Sequence, residues 1–104
     1  MAKVVAHRLS EEDAAHLGDL VAGDVAVVVR GFDDPPDPDR IYLVAAPEAS
    51  RFPTRLSRLR VKENRLILIS EGERSDVEIL ELSQERTLSH WLLGTVVVVI
   101  RCGD

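Results

Sequence analysis

The sequence has a single cysteine, Cys102, and only two lysines, Lys3 and Lys62, among 104 residues. One cysteine cannot close an internal disulfide, so nothing implies an oxidising compartment and a plain reduced thiol is expected. Long apolar runs are missing too. The longest, TVVVVI at Thr95–Ile100, is far too short to cross a bilayer, and the N-terminal MAKVVAHRL has no apolar core of the signal-peptide kind. The expected location is the cytoplasm, with no membrane partner. A basic excess is also lacking. The net charge of −5 opposes non-specific nucleic-acid binding, which needs a positive field. The three histidines, His7, His16 and His90, are scattered and no cysteine pair accompanies them. No zinc spacing results, so surface or cap roles are expected for all three, with no metal and no cofactor.

What is present reads as one globular domain over residues 1–104. Apolar residues make up 45% and charged residues 30%, the balance of a folded protein rather than a disordered one. A first strand is expected from about Lys3 to Arg8. Ser10 followed by Asp13 fits a capping box, which predicts a short helix from Glu11 to Leu17 ended by Gly18, with Leu17 and Leu20 toward the core. A Gly23-Asp24 turn leads into a strand at Val25–Arg30. FDDPPDPD, with three prolines and four aspartates in eight residues, is a stiff solvated loop. It lacks the glycine and terminal glutamate of an EF-hand, which argues against calcium.

RIYLVAAP is a further strand and EASRFP a loop. Thr54–Val61 and Arg65–Ser70 form a hairpin joined by Lys62-Glu63-Asn64, and EGERSD makes a turn. VEILELS alternates, with Val77, Ile79, Leu80 and Leu82 as core candidates. QERTLSHWL is an irregular return before the last strand, LGTVVVVIR. Six or seven short strands with one helix and no βαβ repeat predict a mainly β, partly open barrel-like fold.

Catalytic motifs do not emerge from the residues. No G-x-S-x-G elbow occurs, and VAGD lacks the further glycines and Lys-Ser/Thr pair of a phosphate loop. Lys62 falls in the hairpin turn, where solvation keeps an ammonium protonated and useless as a base.

The order of segments from Leu20 to Asp104 nonetheless resembles the C-terminal domain of LexA and its relatives, the self-cleaving repressors and, more distantly, the signal peptidases. LVAGDVAVV, RIYLVAA, the hairpin RLSRLRVKENRLILISEGE, VEILEL and LLGTVVVVIRCGD follow in the family's sequence, with Ser70-Glu71-Gly72 at the family's turn and an insertion at the proline loop. The resemblance implies a LexA/signal-peptidase fold with one short N-terminal helix. It also implies a Ser/Lys hydrolase, but the residues depart from that. Counting back from Gly23-Asp24, the serine slot falls at Ala14. The lysine slot in RLSRL is Ser57. Arg55 or Arg58 cannot stand in, because a guanidinium does not deprotonate near neutral pH. The helix-turn-helix domain of the repressors is not expected here, and with it goes direct nucleic-acid reading.

The expectation is therefore a non-catalytic module of protein–protein association, as a homodimer or docked on a regulatory protein. Val96, Val97, Val98, Val99, Ile100 and Arg101 are the candidate partner strand, because a strand with one wet face should alternate and this one does not. A central strand buried on both faces would give the same pattern. Arg55, Arg58 and Arg60 are the candidate basic partner face. The alternative is a hydrolase of the same fold with relocated groups, such as Ser10 or Ser57 with His16.

Overall fold

A computed structural model describes residues 3–45, 54–70 and 77–102. The elements run β1 (Val4–Arg8), α1 (Glu11–Leu17), β2 (Val25–Arg30), β3 (Tyr42–Ala45), β4 (Thr54–Lys62), β5 (Arg65–Ile69), β6 (Val77–Glu81), α2 (Leu88–Trp91) and β7 (Leu92–Ile100). The expected loops at 48–53 and 71–76 lie outside the described residues.

Seven antiparallel strands form one sheet in the order β1-β2-β7-β3-β4-β5-β6. The last strand in sequence thus inserts in the middle, between β2 and β3. β1 and β6 stand at opposite edges, so the sheet does not close. The mainly β expectation holds, while the barrel is corrected to an open sheet with one apolar cluster on part of each face.

Local chemistry explains the first helix. The Ser10 hydroxyl accepts the Asp13 N–H at 3.0 Å, and the Asp13 carboxylate accepts the Ser10 N–H at 2.9 Å. This reciprocal box, with Glu11 and Glu12 at the positive end of the helix dipole, fixes the start. Gly18, with φ 65°, ends it while its N–H bonds Ala14 O at 3.2 Å. In the β4–β5 hairpin the turn residues Glu63 and Asn64 both take positive φ, 51° and 63°. That is the turn whose twist matches the flanking strands.

Register sorts the side chains onto the two faces. Leu43 and Leu56 pair on one face, where they meet Leu17 of α1 and Ala26 and Val28 of β2. Val44 and Leu92 pair on the other, with Tyr42, Leu59, Leu66 and Trp91. Leu56, Leu59, Leu66 and Leu68 are all fully buried, each contributing about 1.5–3 kcal/mol.

Two expectations are corrected at this level. The irregular return contains a second helix, α2, anchored by the buried Trp91. Leu80 of β6 and Leu82 just after it pack on the core, but Val77 and Ile79 are 57% exposed. The four could not all be inside, because residues one apart on a strand point to opposite faces.

Candidate functional site

Ala14 and Ser57, the positions singled out by the resemblance, lie on α1 and β4, which pack against each other. Asp13, next to Ala14, ties them together. Its Oδ1 accepts the Leu56 N–H at 2.8 Å, while Oδ2 meets the Ser10 N–H and His7 Nε2, each at 2.9 Å. Asp13 has no solvent exposure. Burial pushes its carboxyl up, but the hydrogen bonds from His7, Ser10 and Leu56 outweigh this and hold it below its ordinary value. The carboxylate therefore stays ionised at neutral pH and acts as a fixed acceptor that joins helix, β1 and β4.

The hydroxyls nearby are already engaged. Ser10 Oγ caps the helix, and Ser57 Oγ donates to Arg58 O at 2.8 Å. Ser57 is 1% exposed and lies opposite Tyr42 across the β3–β4 pair. The hydroxyl that meets His16 Nδ1 is that of Ser70, the residue after β5. The hydroxyl beside His16 is therefore that of Ser70 and not of Ser10 or Ser57. No spacing rule could have found this pair, since 54 residues separate the two. His16 is buried, which corrects its expected surface role, whereas His90 is exposed and sits edge-on to Trp91 at 4.9 Å. Among the described residues no cluster of three or more His, Cys, Asp or Glu could hold a metal ion.

The hairpin arginines do not share a face. Arg55 is 3% exposed and its Nη1 bonds Glu78 Oε1 at 2.8 Å, while its register partner is Val44. Arg58 and Arg60 sit three and five positions on, so they point the opposite way. Arg60 is exposed and Arg58 half-buried. The candidate basic face therefore loses Arg55, which lies on the inner side.

The candidate partner strand has a specific layout. β7 is central in the sheet, yet three of its residues are about half exposed: Val97 at 52%, Val98 at 50% and Ile100 at 51%. Val98 and Ile100 lie on a side of the sheet that no cluster of the described residues covers, and a bulge precedes them. Val27 pairs with Val98 and Val28 with Val96, leaving Val97 as the extra residue. Val96 and Val99 pack on the cluster under α1. Val98 and Ile100 point the other way, and Val97 lines a cavity with Val29 and Thr95 of that same side. The unbroken apolar run thus serves two faces, one covered and one open. Register extends the open one. Val4, Val29 and Thr95 form one row across β1, β2 and β7, and Ala6, Val27 and Val98 form the next. Arg101 is exposed beyond the end of β7.

No helix of the described residues is long and apolar enough to cross a membrane. Comparison with protein-family models, with curated proteins and with solved structures finds no match to this chain.

Proposed function

We propose that this chain is a non-catalytic, LexA-like module that acts by protein association, pairing with a second copy of itself through the face of β1, β2 and β7. The observation that carries the reading is the aliphatic row pattern on that face. Val4 is 58% exposed, and Val97, Val98 and Ile100 are about half exposed. Together they line one open side of the sheet, and a contiguous aliphatic surface of this kind is a candidate interaction site. The face carries Val25, Val27 and Val29 at its centre, and its only charge in the three register rows is Arg8, at the rim of the Arg8, Val25 and Ile100 row, so the aliphatic centre of one copy can rest on that of another.

The lack of catalysis rests on chemistry. Ala14 offers no nucleophile, and Ser57 offers a buried hydroxyl where a Ser/Lys enzyme needs a deprotonatable amine.

Light scattering on the concentrated chain should give twice the 11.5 kDa of one chain. A Val98→Asp, Ile100→Asp variant should give the single-chain mass with an unchanged circular dichroism spectrum. A single-chain mass for the unaltered protein at high concentration would remove the self-association reading. Incubation at alkaline pH should leave the chain whole. Fragments that disappear in a Ser57→Ala variant would instead identify a hydrolase.

A further inference from the structure

The face that α1 covers does not stop at β4. Past Leu56 the same side of the sheet continues across β4, β5 and β6 as ordered rows. Arg58, Ile69 and Val77 form one, Arg60, Ile67 and Ile79 the next, and Lys62, Arg65 and Glu81 the last. Ile67 and Ile69 are half-buried, Val77 and Ile79 are 57% exposed, and Arg60, Lys62 and Arg65 are exposed. Arg65 pairs with Glu81 at 3.1 Å, so the positive excess lies along β4. An aliphatic band two strands wide therefore runs beside a cationic border, in a chain whose net charge is −5.

Exposed isoleucine and valine next to arginine are not needed for the inner core, which takes the alternate residues Leu66, Leu68 and Leu80. Nor does the surface suit nucleic acid. The band carries no aromatic side chain on which a base could stack.

Dimensions favour a helix. Strands lie about 4.8 Å apart, so three strands span about 10 Å, the width of one helix with its side chains. Five residues of strand run about 17 Å, the length of about eleven helical residues, or three turns. The molecule already contains such a pairing. α1 is a short helix with acids in its first turn, and it seats Leu17 on the neighbouring part of this same face.

We propose that the outer face of β4, β5 and β6 docks an acidic amphipathic helix of about three turns from a partner protein. The helix lies along the strands beside α1. Its aliphatic stripe rests on Ile67, Ile69, Val77 and Ile79, and its glutamates border Arg60 and Lys62. This surface is distinct from the β1–β2–β7 face and does not depend on self-association.

The test titrates the full chain with a fluorescent, capped helical peptide of about twelve residues. Leucines occupy one face at i, i+3, i+4 and i+7, and glutamates occupy the flanks. Saturable binding is expected, weakened about tenfold or more by Ile79→Lys and, separately, by a combined Arg60→Glu, Lys62→Glu change. Added salt should weaken it as well. Both variants alter exposed side chains, and unchanged thermal melting verifies that they fold. Val98→Asp should leave binding intact, which separates this surface from the dimer face. The proposal is overturned if the peptide does not bind. Equal binding of a scrambled peptide of the same composition, or undiminished binding by the Ile79→Lys variant, overturns it too. Stronger retention on phosphatidylserine vesicles or duplex DNA than on the peptide would reassign the face to those anions and equally sink it.

Discussion

At the scale of single residues, the tightest constraint is Gly94. It sits in β7 opposite Arg30 and Leu43. A Cβ placed there would lie 2.5 Å from Val28 Cγ1 and 2.9 Å from Val29 O. The second contact is backbone and cannot rotate away. Gly94→Ala should therefore destabilise the chain by about 1–3 kcal/mol, through forced separation of β7 from β2. Urea denaturation measures it, and an unchanged midpoint would contradict the close approach.

Asp13 makes a second residue-scale prediction. Its folded pKa lies below the ordinary 3.8, so the unfolded chain takes up the proton first as pH falls. The stabilisation is fully present above that ordinary value and disappears as pH drops through the folded one. Asp13→Asn should cost about 2–4 kcal/mol at neutral pH, since an amide cannot accept from His7, Ser10 and Leu56 together. The gap between the two proteins should close in acid. A gap that stayed constant between pH 7 and pH 2 would show that the carboxylate charge is not the source.

At the scale of elements, much of the fold was legible because local signals agreed with one another. Ser10, Asp13 and Gly18 bracket α1 to the residue. The apolar patterns of RLSRLRV and RLILI placed β4 and β5 to within one residue of their ends. What was not legible had a physical reason in each case. α2 is four residues long, shorter than the period that reveals a helix, and Thr87 supplies no side-chain cap. β6 is an edge strand with aliphatic residues at both odd positions (Val77, Ile79) and an even one (Leu80), so its pattern could not say which set faces in. The pairing of His16 with Ser70 depends on α1 docking at the end of β5, a tertiary fact without a sequence motif. The same holds for Arg55, whose inward direction follows from its register with Val44.

The hairpin turn permits a test at this level. Glu63 holds φ 51°, where an ordinary L-residue is strained and asparagine is tolerated. Glu63→Asn should stabilise the chain by about 0.5–1 kcal/mol. Asn64 should be left in place, because its Nδ2 donates to Leu82 O at 2.9 Å and joins the turn to the end of β6. A loss of stability in Glu63→Asn would mean that the strain is relieved elsewhere.

At the scale of the whole molecule, the two open surfaces lie toward opposite ends of one sheet and on opposite faces of it. β1, β2 and β7 present aliphatic side chains away from α1, while β4, β5 and β6 present theirs on the α1 side. The first surface is aliphatic with Arg8 at its rim, and the proposed self-pairing would use it. The second is bordered by Arg60 and Lys62, where the proposed acidic helix would dock. A dimer built on the first leaves the second open in both copies, so the two associations are compatible.

The proposed self-association would couple stability to concentration, because only the folded chain presents the β1–β2–β7 face. Above the dissociation constant, each tenfold rise in concentration should add about 0.7 kcal/mol per chain, or about 3–5 °C in Tm for a domain of this size. The Val98→Asp variant should lose that dependence and melt at one temperature across the range. Ile79→Lys should keep it in full. A Tm independent of concentration in the unaltered chain, measured from micromolar to millimolar, would show that the aliphatic face of β7 does not drive pairing. Its exposure would then need another partner to explain it.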